Sequence, residues 1–136
     1  TENIIVTPHM KEMSRLTGIQ IEEMKENPVR TAREFADQYG VVCVLKDAAT
    51  VIAGRDGKTF VNGSGTPAMA KGGSGDVLTG VIAGLVALGL EESDAAALGV
   101  YVHGLAGEAA EKHFGVHGVL AGEIADCLPE VYRDGI

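Results

Sequence analysis

Apolar and polar positions alternate in blocks that predict strands near the start of the chain and helices towards its end. Ile4-Ile5-Val6 is a short apolar run closed by Thr7-Pro8, and the residue before a proline is held extended, so a buried strand leaving into a loop is predicted. After His9, the residues Met10, Met13 and Leu16 recur at helical spacing and stop at Gly18, a C-cap residue type. Pro28, at a first-turn position, opens a second helix through Tyr39 to Gly40. Val41-Val42-Cys43-Val44-Leu45 then reads as a buried strand, and Thr50-Val51-Ile52-Ala53, the turn pair Asp56-Gly57 and Thr59-Phe60-Val61 read as a hairpin.

From residue 62 to 75 the chain carries Gly63, Gly65, Gly72, Gly73 and Gly75, a loop composition. Val77, Leu78, Val81, Ile82, Leu85, Val86 and Leu88 follow, up to Gly89, predicting a helix apolar almost all round and therefore buried. Another helix is expected from about Ser93, read as its N-cap, to about His113, where Ala95, Ala96, Ala97, Gly99, Gly104, Ala106 and Gly107 permit close packing. A last helix from about Leu120 is expected to end near Leu128-Pro129. Strands alternating with helices and then a run of helices predict an α/β fold, a sheet with helices on its faces.

Composition narrows the function. The 136 residues are 46% hydrophobic and 22% charged, which excludes a disordered chain and a membrane protein. A net charge of -8 with only 11 Lys and Arg excludes nonspecific nucleic-acid binding, which needs clustered cations. Any phosphate must then be held by backbone. Cys43 and Cys127 lie in apolar or amphipathic runs far apart and are expected to be buried thiols in a reducing cytoplasm. No signal peptide and no 18-residue apolar run is found, and the chain opens on Thr-Glu-Asn without a methionine, as expected of a piece of something longer. Nineteen glycines, about twice the usual share, stand out with no collagen or linker period.

Those glycines point to the candidate chemistry. Lys71-Gly72-Gly73-Ser74-Gly75-Asp76 opens directly into the apolar helix. Glycines let the backbone take positive φ and approach a ligand, and the first helical N–H groups lack internal partners, so the segment is an expected anion hole reinforced by the helix dipole. Asp76, in the first turn, is placed to take a proton from a hydroxyl attacking a phosphoryl group. The plain alternative is a flexible connector followed by an ordinary helix N-terminal acid. The spacing is neither that of a Walker loop nor that of a dinucleotide fingerprint.

Four motifs in register go further: Thr7-Pro8-His9; Leu45-Lys46-x-Ala48-x-Thr50-Val51-Ile52; the run from Gly65-Thr66-Pro67-Ala68-Met69 through Ala70-Lys71-Gly72-Gly73-Ser74-Gly75-Asp76 to Val77-Leu78-Thr79-Gly80; and Tyr101-Val102-His103-Gly104-x-Ala106-Gly107. In this order they resemble the C-terminal half of the ADP-dependent NAD(P)H-hydrate dehydratases, of the ribokinase-like superfamily. The resemblance implies a three-layer αβα fold of which the chain is the C-terminal half only, with a mostly parallel sheet. Residues 1–136 would form a single partial domain whose N-terminal half is missing. It implies a repair lyase that uses ADP (or ATP) and Mg2+ to dehydrate the S-epimer of NAD(P)H hydrate through transient phosphorylation of the hydrate hydroxyl.

By the same resemblance Asp76 is the catalytic base and touches the hydrate, and His9 contacts the substrate. Lys46, Asp47, Ala48, Ala49 and Thr50, with Gly72, Gly73 and Gly75, contact the nucleotide. The partners implied are the hydrate and ADP, with no nucleic acid or membrane, in a cytoplasmic homo-oligomer or in association with the missing N-terminal half. Where the family usually continues with proline and glycine after the histidine, Met10-Lys11-Glu12 stands here. Asp47 replaces a usual glycine, Thr66 stands where asparagine is common and Ala68 where glycine is. His103 reads as a packing residue, and His113 and His117 lack metal-ligand spacing. A ribokinase-like vitamin or sugar kinase shares the glycine loop, and a noncatalytic nucleotide-binding fragment is the reading from a different class. An exposed apolar sheet edge or face is expected where the missing half belongs.

Overall fold

Two short connections and one long one decide the sheet. In the computed structural model, which describes residues 3–66, 69, 73–115 and 119–134, strands β1 (Ile5–Val6), β2 (Val42–Leu45), β3 (Val51–Ala53) and β4 (Thr59–Val61) lie in the order β1-β2-β3-β4. β1 pairs parallel to β2, with Ile5 opposite Val42 and Val6 opposite Cys43. β2 with β3 and β3 with β4 are antiparallel. The sheet is therefore mixed rather than mostly parallel. The segments between β2, β3 and β4 are too short for the crossover a parallel pair requires, whereas β1 and β2 are joined through three helices. At Asp56-Gly57 both residues take positive φ, 56° and 76°, and Lys58 N–H donates to Arg55 O at 3.1 Å, the geometry that suits a two-residue hairpin turn.

The chain divides into two compact units, Thr1–Asn62 with Leu90–Ala97, and Gly63–Gly89 with Leu98–Ile136. In the first, α1 (Met10–Thr17), α2 (Ile21–Glu26) and α3 (Pro28–Tyr39) contribute Met10, Met13, Met24, Ala32 and Ala36 to one core with Cys43, Leu45, Val51 and Ala53. The register pairs Cys43 with Ala53 and Leu45 with Val51, so these four share one face of the sheet. Val42, Val44 and Ile52 on the opposite face are equally buried, which is why the run reads as continuously apolar. Arg33 of α3 ties down the hairpin: its guanidinium donates to Gly54 O at 2.6 Å and Lys58 O at 2.9 Å, and pairs with Asp37 at 2.8 Å. Among the described residues β1 has a partner on one side only, and Ile4 beside it is exposed.

Where two helices are predicted before β2, three form. Gln20 and Asn27 bound the extra one, α2, and the Asn27 side chain then caps α3 by accepting from Arg30 N–H at 3.1 Å. Gly18 and Gly40 close α1 and α3 in the left-handed conformation, as their residue type predicts.

The second unit is helical, with α4 (Ser74–Ala87), the larger part of α5 (Glu92–Phe114), α6 (Ala121–Asp126) and α7 (Leu128–Arg133). α4 buries Leu78, Val81, Ile82 and Leu85 but exposes Gly80, Ala83, Gly84 and Ala87, and Leu88 is exposed just past its end. It is not buried all round: its second face is made of small residues, which raise hydropathy without needing a core. α5 starts at Glu92, and Ser93 is not its cap. Ser93 is fully buried and its Oγ accepts from Arg55 N–H at 2.8 Å, while the Glu91 carboxylate accepts from Asp94 N–H at 3.3 Å. Gly99 lets α5 meet α4, since a Cβ there would stand 2.7 Å from Ile82 Cγ1. The helix expected from about Leu120 forms as α6 and ends at Asp126, just before Leu128-Pro129, and a further helix, α7, begins at Leu128 with the proline in its first turn.

Candidate functional site

In the first unit the parallel pairing outlasts the strands. His9 and Lys46 form an isolated parallel bridge, and Lys46 N–H donates to Pro8 O at 2.9 Å. The two residues therefore stand side by side beyond the carboxyl ends of β1 and β2, where α/β sheets place their ligands. His9 is also the N-cap of α1. Its Nδ1 accepts from Glu12 N–H at 3.1 Å, and the Glu12 carboxylate accepts from His9 N–H at 3.1 Å, closing a capping box. With Nδ1 accepting, the ring proton belongs on Nε2, which lies 3.2 Å from Glu12 Oε1. The hydrogen bond from the His9 backbone, with the nearby positive charge of Lys46 and Arg15, holds the Glu12 carboxyl below its ordinary value.

The sequence reading names Glu12 only within the stretch Met10-Lys11-Glu12 and gives it no role; a glutamate three residues after the helix start is the signal that could have found it. The segment after β2 turns tightly. Asp47, Ala48 and Ala49 are exposed, Lys46 and Thr50 half-buried. Thr50 Oγ1 lies 3.3 Å from Asp47 O, and Asn62 N–H donates to Thr50 O at 2.9 Å. The turn thus presents the three exposed residues between two anchored ends.

In the second unit α4 begins without a side-chain cap. Gly73 occupies the N-cap position at φ 88° and ψ -11°, a left-handed conformation that only glycine takes without strain. Gly73 O accepts from Asp76 N–H at 3.1 Å and Val77 N–H at 3.2 Å. Asp76 is exposed in the first turn, and Gly75 is half-buried one residue before it. An uncapped, glycine-led helix start with an exposed carboxylate three residues in is the arrangement expected of an anion site beside a base. Gly72 and Lys71 lie outside the described residues, as does His117.

Behind this turn, Ser74 is buried with its Oγ 3.4 Å from Nε2 of His103, itself buried in α5. His113 pairs with Glu130 at 3.1 Å. Among the described residues no group of three or more His, Cys, Asp or Glu is placed to hold a metal ion, and no described helix is long and apolar enough to cross a membrane. Both cysteines are free and buried. Desolvation pushes the Cys43 thiol up to about 12, against the opposing pull of the Arg33 charge, and it pushes Cys127 up as well.

Comparison with known proteins places these features in one family. The NAD(P)H-hydrate dehydratase family profile matches residues 1–130. The chain is 39% identical over 130 residues to the ADP-dependent (S)-NAD(P)H-hydrate dehydratase of Bacillus subtilis, covering 96% of this chain and 47% of that protein. It is 45% identical over 131 residues to the bifunctional NAD(P)H-hydrate repair enzyme Nnr of Moorella thermoacetica, covering 96% of this chain and 25% of that one. The crystal structure of the ADP/ATP-dependent NAD(P)H-hydrate dehydratase from B. subtilis, co-crystallised with ATP and Mg2+, superposes with a TM-score of 0.92 at 39% identity over 97% of this chain and 48% of that one. A ribokinase-like superfamily protein from Enterococcus faecalis superposes at 0.82 with 33% identity, covering 96% of this chain and 44% of that one. The chain thus spans about half the length of the dehydratase it matches and a quarter of the bifunctional enzyme. Its fold is ribokinase-like α/β, and the chain belongs to the NAD(P)H-hydrate dehydratase family.

Proposed function

We propose that this chain carries the C-terminal half of an ADP-dependent NAD(P)H-hydrate dehydratase, one partial ribokinase-like domain that acts in the cytoplasm on the (S)-hydrate of NADH or NADPH. The observation that carries the reading is the start of α4, where Gly73 turns left-handed, no side chain caps the helix and Asp76 is exposed in the first turn. Family resemblance supplies the substrate class and the contacts of His9 and of Lys46 to Thr50, and physical chemistry supplies the roles of Asp76 and the glycines.

Asp76 takes the proton of the hydrate hydroxyl as its oxygen attacks the terminal phosphoryl group of ADP, releasing AMP. The phosphate so attached leaves with its bonding electrons, the neighbouring carbon loses a proton, and the double bond of the dihydronicotinamide is restored. Gly72, Gly73 and Gly75, with the positive end of α4, hold the phosphoryl oxygens, so an acidic chain needs no lysine cluster to bind a nucleotide. Lys46, Asp47, Ala48, Ala49 and Thr50 line the nucleotide, and His9 contacts the hydrate. With its Nδ1 occupied by the capping bond, His9 meets the substrate through Nε2, whose proton is shared with Glu12 Oε1 at 3.2 Å.

Mg2+ fits this reading as an ion carried on the nucleotide phosphates, because magnesium is commonly held by one or two carboxylates together with phosphates and water. Held by the nucleotide, the ion would neutralise phosphate charge and leave Asp76 to act as the base. The one-sided pairing of β1 and the exposed Ile4 support association with an N-terminal half of the domain, or with further copies of the chain.

The test is Asp76→Asn in the complete protein. ADP affinity is expected to stay near the parental value while turnover of NADPH hydrate falls by about 10²-fold or more. Unchanged turnover removes Asp76 as the base, and failure of the parent to bind ADP removes the reading altogether.

A further inference from the structure

The nucleotide reading leaves the motif Tyr101-Val102-His103-Gly104-x-Ala106-Gly107 without a task. The structure gives it one. Tyr101, Gly104 and Glu108 follow one another at spacings of three and four, so they share one face of α5. The segment that leads towards the glycine loop lies on that face. Ser64 Oγ donates to Tyr101 O at 3.0 Å, and Gly65 N–H donates to the Glu108 carboxylate at 3.0 Å.

Two glycines make the approach geometrically possible. A Cβ on Gly104 would stand 2.8 Å from Ser64 Cβ and 2.9 Å from its carbonyl carbon, and a Cβ on Gly107 would stand 2.5 Å from Met69 Cγ. The first collision includes the Ser64 Cβ and carbonyl carbon as well as its hydroxyl, so rotating the side chain alone does not relieve it. Gly65 itself sits at φ 107°, a conformation open to glycine but strained for a residue with a side chain. One turn away on the same helix, His103 meets Ser74, the first residue of α4. α5 therefore grips the chain both before and after residues 70 to 72, at Ser64, Gly65 and Met69 on one side and at Ser74 on the other.

We propose that this face of α5 is a seat for the chain at Ser64, Gly65 and Ser74 that supports nucleotide binding at the start of α4, with Glu108 as a positioning residue and Gly104 as the position that must lack a side chain. The proposal rests on the nucleotide reading above, because it assigns the seat an effect on ADP. Glu108 touches neither nucleotide nor hydrate in this scheme; it acts through the Gly65 amide.

The experiment compares Glu108→Ala with Glu108→Gln in the complete protein, reading hydrogen exchange at the Gly65 amide and ADP affinity by calorimetry. Loss of the carboxylate is expected to speed Gly65 exchange and to weaken ADP by about tenfold, the size of one lost hydrogen bond to a charged acceptor. Gln, which keeps an acceptor oxygen at the same reach, restores both. Gly104→Ala is expected to weaken ADP at least as much.

If Glu108→Ala leaves Gly65 exchange unchanged, the seat does not exist as described. If exchange rises while ADP affinity holds, the contact is only structural and the proposal fails, with the nucleotide site intact. If Gly104→Ala fails to fold, the Glu108 pair decides alone. A parent that binds no ADP overturns the nucleotide reading, and this proposal with it, a result distinct from either of the others.

Discussion

His9 and Lys46 stand together because strand pairing carries them there, whereas Asp76 is delivered by a glycine turn with no side chain to cap it. In the first case the main chain of two neighbouring strands sets the spacing, and the capping box between His9 and Glu12 adds a second restraint. In the second, the backbone geometry depends on residues that lack side chains, and on a distant helix face that accepts the incoming loop. The sheet end tolerates change in its side chains while keeping its shape. The helix start has little local restraint of its own, so the same number of atoms added there should do more damage. That asymmetry predicts different mutational signatures for the two segments.

The largest expected effect is at the helix start. Gly75→Val puts a branched side chain where phosphoryl oxygens are proposed to meet the first amides of α4, and ADP binding should fall below detection. Stability should hold, because valine is no worse than glycine within a helix. Calorimetric titration with ADP and a thermal melt separate the two effects. Retained binding would mean that Gly75 is a helix residue and nothing more, and the contrast with the sheet end would collapse.

A smaller effect is expected at His9, where the structure allows cap and ligand roles to be separated. Asn is among the best N-cap residues, so His9→Asn should preserve the start of α1 and the melting temperature. It removes the ring nitrogen offered to the hydrate, and the KM for the hydrate should rise by about tenfold, one hydrogen bond's worth. His9→Ala should raise KM similarly and also destabilise the fold by about 1 kcal/mol through loss of the cap. If Asn and Ala both leave KM unchanged, His9 serves α1 alone.

The two regions also differ in how much of them the sequence discloses. Strand ends, turn glycines and helix caps are local events, so Thr7-Pro8-His9, Asp56-Gly57, Gly18 and Gly40 are readable a few residues at a time, and the structure agrees at each. The anchoring of the glycine loop is not local. Ser64 and Tyr101 are 37 residues apart, Gly65 and Glu108 are 43 apart, and no periodicity marks them as neighbours. The glycines of α5 signal close approach, but not of what. Misreadings have the same origin. Ser93 looks like a cap until its hydroxyl is found accepting from Arg55 across the fold. The small residues of α4 look like core because hydropathy does not distinguish a side chain that fills space from one that leaves it open.

The smallest expected effect lies in the capping box itself. Glu12 accepts from the His9 backbone, which depresses its carboxyl pKa below the ordinary value of 4.5. A carboxylate stabilised in this way contributes above that value and loses its contribution as pH falls through its lower native value. The carboxylate is half exposed and solvent screens it, so Glu12→Gln should cost under about 1 kcal/mol at neutral pH. The difference between parent and variant should shrink on acidification below pH 4.5 and vanish once Glu12 is protonated in the native state. Urea unfolding at a series of pH values measures this directly. A difference that stays constant through the acid range would show that Glu12 acts on α1 by packing rather than by charge, and that His9 is oriented by the strand pairing alone.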